Sequence, residues 1–367
     1  MFGMNIGLNI LDRQFEMYKS EYEEAALRVL RSGWYILGPE VEAFEKEYRE
    51  YTGSKFCIGV ASGLDALTLS LRALEIGKGD EVIVPANTYI ATVLAVTENG
   101  AKPVFVEPDE FYCIDANKIE EAITKRTKAI IAVHLYGQAA AMDKIKEISK
   151  QHNIYILEDC AQSHGSYFEN KMTGTFGIAG CFSFYPTKNL GAFGDAGAII
   201  TDDVELANRL KMIRNYGSKV KYHNEIEGVN SRLDEIQAAL LRVKLRHINE
   251  VISERENIAQ KYLEGISNEK IKLPLSRKGT NHVYHQFVIR TRNRDRFKKY
   301  LCDKGIETVI HYPIPPHLAE CYKKLGHEKN SFPIAECYAN EVLSLPMFNG
   351  MKNEEVDYVI ECCNKYL

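Results

Sequence analysis

Residues 154–201 decide the fold. They read Ile154-Tyr-Ile-Leu-Glu-Asp-Cys-Ala-Gln-Ser-His-Gly165, then Gly180-Cys-Phe-Ser-Phe-Tyr-Pro-Thr-Lys-Asn-Leu-Gly191, then Gly194-Asp-Ala-Gly-Ala-Ile-Ile-Thr201. Three short apolar runs, 154–158, 180–184 and 197–201, predict buried strands. Asp159 stands at the C-terminal end of the first. Lys188 follows the second, in a loop rich in Pro, Asn and Gly. An isolated Asp at a turn, or an isolated Lys in a loop, is ordinarily a cap and a solvated surface group. A carboxylate and an amine at the ends of neighbouring strands read differently when the rest of the chain supplies a site around them.

Outward from that stretch the chain alternates strand and helix. Strands are expected at 56–60, 81–84, 102–107 and 128–134, giving seven with the three above. Helices are expected at 12–32, 39–52, from 62 to about 75, and at 88–99, 115–124, 142–152 and 203–213. Parallel pairing needs such crossovers, so the class is α/β with a mostly parallel sheet. The connection between the last two strands is too short for a crossover helix, so one antiparallel strand is expected. A long helix is expected over about 232–262, with a domain boundary near residue 250. The large domain is then 1–250. The smaller α+β domain is 251–367, with strands at 282–291 and 307–312 and helices at 294–304 and 353–366.

Composition limits the function. The chain has 367 residues, 45% apolar and 26% charged, as in ordinary globular proteins. A net charge of −4 argues against non-specific nucleic-acid binding. No apolar run is long enough for a membrane helix. Met1–Ile10 lacks the basic and apolar regions of a signal peptide. Nine cysteines, without a Cys-x-x-Cys pair and with Cys362 and Cys363 adjacent, suggest a reducing cytoplasm and inert thiols. No spacing of His, Cys and acids suggests a metal site, so no metal is expected.

In an open α/β sheet, ligands sit outside the carboxyl ends of the strands. Ser62, Gly63 and Leu64 begin a helix there, and helix amides can hold a phosphate. Tyr89 follows the second strand, Asp159 and Gln162 the fifth, and Ser183 and Lys188 the sixth. A phosphate cup, a flat aromatic face, an acid for a pyridine nitrogen and an amine for an aldehyde together suit pyridoxal 5′-phosphate (PLP).

Five motifs sharpen this: Ser-Gly-Trp-Tyr-Ile-Leu-Gly at 32–38, Pro-Ala-Asn-Thr-Tyr at 85–89, Glu-Asp-Cys-Ala-Gln at 158–162, Phe-Ser-Phe-Tyr-Pro-Thr-Lys-Asn-Leu-Gly at 182–191, and Asn-Ser-Arg-Leu-Asp-Glu-Ile-Gln-Ala-Ala at 230–239. Through them the chain resembles the DegT/StrS-type PLP-dependent nucleotide-sugar aminotransferases. The resemblance covers nearly the whole chain and implies an aspartate-aminotransferase-like (type I PLP) fold. It also implies a homodimer with active sites at the subunit interface.

The resemblance assigns roles residue by residue. Lys188 matches the lysine that carries the cofactor and moves the substrate proton. Asp159 matches the acid on the pyridine nitrogen, Gln162 the group near the phenolic oxygen, and Tyr89 the stacking ring. Gly63, Leu64 and Ser183 match phosphate contacts, and Asn230 a contact from the neighbouring subunit. Tyr185, Lys219, Lys221, Tyr222, His311 and Tyr312 match substrate positions. Tyr185 could equally be core, and Lys219, Lys221 and Tyr222 a solvated loop. His164 is as readily a buried structural histidine, and His317 a loop residue.

The implied reaction moves an amine from L-glutamate to a dTDP-linked 3-keto-6-deoxyhexose. A 4-keto nucleotide-sugar aminotransferase is the alternative. A PLP-dependent sugar dehydratase would carry His in place of Lys188. A non-catalytic PLP-binding regulator would ordinarily need an added DNA-binding segment, and no such segment is evident.

Overall fold

The computed structural model describes residues 4–220 and 222–367. Its centre is a seven-stranded sheet: β1 (Phe56–Val60), β2 (Glu81–Pro85), β3 (Lys102–Val106), β4 (Thr127–Val133), β5 (Tyr155–Asp159), β6 (Ala179–Ser183) and β7 (Gly197–Thr201). The order is β1-β7-β6-β5-β4-β2-β3, and β7 alone runs antiparallel to its neighbours. The expected α/β class and the single antiparallel strand are both observed. Strands β2, β4 and β7 are buried nearly throughout, as a sheet covered on both faces requires.

Helices α1 (Leu11–Met17), α2 (Lys19–Ser32), α3 (Pro39–Thr52), α4 (Gly63–Ala73), α5 (Ile90–Glu98), α6 (Met142–His152) and α7 (Val204–Ile213) surround the sheet. Local chemistry sets their ends. Gly33 closes α2 in the left-handed conformation, φ 69°. Pro39 occupies the first turn of α3, whose leading amides (Gly38, Glu40 and Val41) donate to the buried Glu235 carboxylate at 2.8–2.9 Å. Ser62 caps α4 by accepting from the Asp65 amide at 3.1 Å.

Three expected helices come out differently. The 12–32 helix breaks at Tyr18. The 232–262 helix starts at Glu235 and breaks at His247, giving α8 (Glu235–Arg246) and α9 (Ile248–Gly265). The two breaks meet: the Tyr18 and His247 rings stack at 4.0 Å, and Glu21 accepts from His247 at 2.9 Å. A tertiary contact thus joins the two points at which the periodic patterns are interrupted. Residues 115–124 form two 3₁₀ turns, Ala116–Lys118 and Glu120–Ala122, rather than an α-helix. Ala116, Ile119 and Ala122 face the core at a spacing of three, which suits a 3₁₀ turn.

Beyond α9, β8 (Phe287–Arg290) pairs antiparallel with β9 (Val342–Leu345), flanked by α10 (Arg294–Asp303), α11 (Pro333–Glu341) and α12 (Asn353–Asn364). These enclose a separate apolar core containing Phe287, Phe297, Leu301, Leu345, Phe348 and Val359, joined by Ile6. The 282–291 strand is shorter than expected. The 307–312 segment is no strand; it makes one isolated bridge, Val309 to Ser344, then turns toward the main sheet ahead of Pro313, Pro315 and Pro316.

Candidate active site

One cavity of about 570 Å³ opens at the carboxyl ends of the strands. Its wall includes Ser62, Gly63, Leu64, Tyr89, Asp159, Gln162, Ser183, Tyr185, Lys188, His285, His311 and Tyr312. Eleven of these twelve positions, all but His285, are ones that the sequence places at that edge or that the resemblance assigns to the site.

The floor is built by close backbone approach. Gly197 of β7 sits opposite both Val60 and Ser183. A Cβ on Gly197 would lie 2.3 Å from the Ser62 carbonyl, and one on Gly63 would lie 2.4 Å from the Ser183 Cβ. Only glycine lets the start of α4 lie against the end of β6. The first amides of α4 lack intrahelical acceptors, and Gly63 and Leu64, which carry two of them, line the cavity.

Asp159 ends β5 and is 7% exposed. Its carboxylate accepts from Thr92 Oγ1 at 2.8 Å and from the Ala161 amide at 3.2 Å. Burial outweighs these bonds and pushes the carboxyl above its ordinary range; the Lys188 charge pulls the other way. Lys188 follows a turn in which its own amide donates to the Tyr185 carbonyl at 2.8 Å, with Pro186 preset for the turn. Asn189 anchors the loop by donating to the Val283 carbonyl at 2.9 Å. Burial lowers the Lys188 ammonium to about 8, against the pull of Asp159. An amine with that poise is partly free at neutral pH, as a carbonyl-attacking lysine needs.

Gln162 is held at both ends. Its Oε1 accepts from the Tyr136 amide at 2.7 Å, and its Nε2 donates to Tyr312 Oη at 3.0 Å. The Tyr312 ring lies 5.1 Å from that of Tyr89, tilted by 37°. Tyr89 and Tyr185 are 53% and 52% exposed, at the mouth. His311 bonds Ser344 Oγ through Nδ1 at 2.7 Å, its carbonyl accepts from Tyr136 Oη, and burial lowers its ring to about 4.

The remaining candidates lie elsewhere. His164 does not line the cavity: Nε2 meets the Ser183 carbonyl at 2.9 Å, Nδ1 meets Tyr48 Oη at 3.1 Å, and burial lowers the ring to about 3. It is a neutral support beneath Ser183. His317 is buried against Glu336, at 3.2 Å, away from the cavity. Asn230 is exposed in a separate groove with Asp65, Thr68 and Arg72. Lys219 and Tyr222 are exposed on a small hairpin and do not line their own chain's cavity. Lys221 lies outside the described residues.

Sequence reasoning missed Thr92 and His285. Thr92 was legible in principle: it lies one helical turn after Thr88, and their hydroxyls meet at 2.8 Å behind Asp159. Nothing local marks His285, which reaches the cavity only through the packing of the C-terminal segment.

A doubly covered α/β sheet with a lysine–carboxylate pair at its carboxyl edge defines a class of cofactor-dependent enzymes. The DegT/DnrJ/EryC1/StrS aminotransferase family model matches residues 16–364, and the chain belongs to that family. It is 54% identical to a dTDP-3-amino-3,6-dideoxy-alpha-D-galactopyranose transaminase of Aneurinibacillus thermoaerophilus, over 96% of this chain and 98% of the relative. It superposes on S. venezuelae DesV, solved with a ketimine intermediate, with TM-score 0.97 and 45% identity over 98% of each chain. NtdA of Bacillus subtilis, solved with bound cofactor PMP, matches with TM-score 0.91 and 32% identity, over 98% of this chain and 84% of the other. Among the described residues no helix is long and apolar enough to cross a membrane. All nine cysteines are free, and six are buried.

Proposed function

We propose that the chain is a PLP-dependent transaminase. It moves the amino group of L-glutamate to C3 of a dTDP-linked 3-keto-6-deoxyhexose and releases 2-oxoglutarate. The observation that carries this reading is the convergence of Lys188 and the desolvated Asp159 on one cavity. The 54% identical relative supports the sugar and the reacting carbon.

The residues present fit the cofactor. Asp159 is a buried carboxylate with two hydrogen-bond donors and, among the described residues, no salt bridge, so a protonated ring nitrogen would complete it. Gly63, Leu64 and Ser183 form a cradle that a Cβ would fill, suited to a phosphate. Tyr89 offers a face for a ring, and Gln162, fixed by Tyr136 and Tyr312, a polar edge. When bound, the cofactor supplies an aldehyde for the amine and a cationic ring that takes up electron density as the substrate carbon loses its proton. Lys188 Nζ would hold the cofactor, then take the substrate proton and return it. Asp159 keeps the ring nitrogen protonated. Tyr185, His311 and Tyr312, which line the cavity with Lys188, would orient the hexose toward the cofactor.

The reading includes a division of the chain at residue 250, a cytoplasmic location, and a C2 homodimer with shared sites. Asn230 of the partner subunit reaches the phosphate, and Lys219, Lys221 and Tyr222 of the partner subunit meet the diphosphate. The exposure of Asn230, Lys219 and Tyr222, and their absence from their own chain's cavity, supports this. Mixed Lys188→Ala and Asn230→Ala chains then recover partial activity as heterodimers. Hybrids that form yet stay inactive contradict sharing.

The test of the reaction offers the 4-keto sugar with L-glutamate, alone and with a 3,4-ketoisomerase, and locates nitrogen by NMR. A 3-amino product that needs the isomerase is expected. Efficient formation of a 4-amino product without it overturns the assignment of C3. Borohydride should fix the cofactor on the Lys188 peptide; fixation on another lysine overturns that residue's role.

A further inference from the structure

Among the described residues, one side chain from the C-terminal side of the cavity lies within hydrogen-bond distance of the lysine amine. His285 is 4% exposed, and its Nε2 lies 3.4 Å from Lys188 Nζ. The other ring nitrogen, Nδ1, is buried and finds no hydrogen-bond partner among the described residues. The contact with Lys188 is therefore the ring's sole polar attachment to the protein among those residues.

Both backbones of this pair are held by buried basic side chains. Arg255, 1% exposed, donates from Nη2 to the His285 carbonyl at 2.8 Å and to the Met347 carbonyl at 3.1 Å, and from Nε to the Tyr284 carbonyl at 2.9 Å. Lys244, 4% exposed, lies 3.5 Å from the Lys188 carbonyl and donates to Gln14 Oε1 at 2.9 Å. Arg255 also reaches Asn349 Oδ1 at 3.5 Å, and Asn349 donates to Glu254 at 2.7 Å. This bracing crosses from α8 and α9 to the C-terminal core. Such cost in buried charge suits a place where position matters more than stability.

The groups facing the pair are Asp159 from β5, His164 after β5, His311 from the segment before Pro313, Arg255 from α9 and Lys244 from α8. Burial, first, and the Lys188 and Arg255 charges, next, push the His285 ring well below its ordinary value, with the His311 and His164 rings acting the same way, so the imidazole stays neutral. A neutral imidazole can accept one hydrogen bond, and the donor within reach is the lysine amine.

We propose that His285 is a positioning residue for Lys188: its Nε2 lone pair holds the lysine amine whenever that amine is not joined to the cofactor. The inference rests on the reading of Lys188 as the cofactor-carrying lysine. No proton moves onto the ring. The lysine nitrogen donates a hydrogen to Nε2 both as the free amine, which can take a proton, and as the ammonium, which can return it, and Nδ1 keeps the ring hydrogen. The released amine is thereby kept beside the cavity, ready to take a proton from the substrate carbon and to rejoin the cofactor.

The test uses the full-length chain freed of cofactor. Lysines are labelled with acetic anhydride across a range of pH, and label on the Lys188 peptide is read by mass spectrometry. In the native protein the labelling midpoint should lie near the lowered value of about 8. A neutral acceptor favours the ammonium, so His285→Phe should lower the midpoint by about one unit, about tenfold more free amine at a given pH below it. His285→Gln, which keeps an acceptor, should restore most of the shift. A Phe variant with an unchanged midpoint, or a Gln variant no different from Phe, overturns the proposal. Should the Phe variant fail to fold, ¹⁵N NMR of the unaltered protein decides. His285 must carry its hydrogen on Nδ1 at neutral pH; a hydrogen on Nε2 overturns the proposal. Failure of the lysine assignment would show separately, as borohydride fixation elsewhere.

Discussion

Glu158 and Asp159 are neighbours on β5, both buried, and their side chains point to opposite faces of the sheet. Glu158 is saturated with donors. Its Oε2 accepts from His134 Nε2 at 3.0 Å and the Gly174 amide at 2.7 Å; its Oε1 accepts from the amides of Phe176 and Gly177 at 2.6 and 2.7 Å. His134 accepts in turn from the Ala140 amide through Nδ1 at 3.1 Å, which leaves its hydrogen on Nε2. Cys160 lies close enough to make a nominal metal-ligand trio with these two, yet the carboxylate's oxygens are already taken by four donors. Asp159 has two donors and a cavity. Burial alone therefore does not mark a working carboxylate. The count of donors does: a saturated acid is a clasp for loops, and an unsaturated one awaits a cation.

Three substitutions probe this contrast. Glu158→Gln should have the largest effect. It removes the charge that four donors address and turns an NH2 toward some of them, at a cost of about 3–5 kcal/mol in stability. Unfolding by urea measures it, and a variant as stable as the native protein would break the contrast. Asp159→Asn should fold normally but lose turnover by a factor of about 10²–10³, because a neutral amide cannot hold a protonated ring nitrogen. Single-turnover rates with L-glutamate show this directly. Thr92→Val should have the smallest effect. It removes one of the two donors to Asp159, worth about 1 kcal/mol, so turnover should fall less than tenfold with the cofactor still bound.

Much of the main sheet was legible because β5, β6 and β7 are short apolar runs ended by polar, glycine-rich turns. Gly33, Pro39 and Ser62 mark helix ends by local chemistry that needs no tertiary context. The paired breaks at Tyr18 and His247 were not legible, since the two rings that stack there are far apart in the sequence. The same holds at the site. Lys188, Asp159 and Gly63 announce themselves at strand ends. His285 and the cationic brace of Arg255 and Lys244 come from α8, α9 and the C-terminal core, and only folding brings them to the lysine. The 307–312 segment reads as a strand by composition, but its carbonyls and side chains are spent on the cavity wall, where Tyr136 meets the His311 carbonyl and Gln162 meets Tyr312.

The central claim is that Asp159 is a carboxylate the fold leaves incomplete for the cofactor. In the folded chain its carboxyl is raised, so the folded state keeps a proton that the unfolded state has already released. The stability this group contributes is therefore lost as pH rises through that range, and Asn removes the penalty. The most direct measurement is the unfolding temperature of native and Asp159→Asn protein, with and without PLP, from mildly acidic to neutral pH. Without PLP the Asn variant should be the more stable near neutrality, with the gap closing as pH falls toward the ordinary carboxylate range. With PLP the native protein should gain more than the variant, because the ring nitrogen completes its carboxylate. An Asn variant that is less stable without PLP, or that gains as much from PLP as the native protein, would contradict the account.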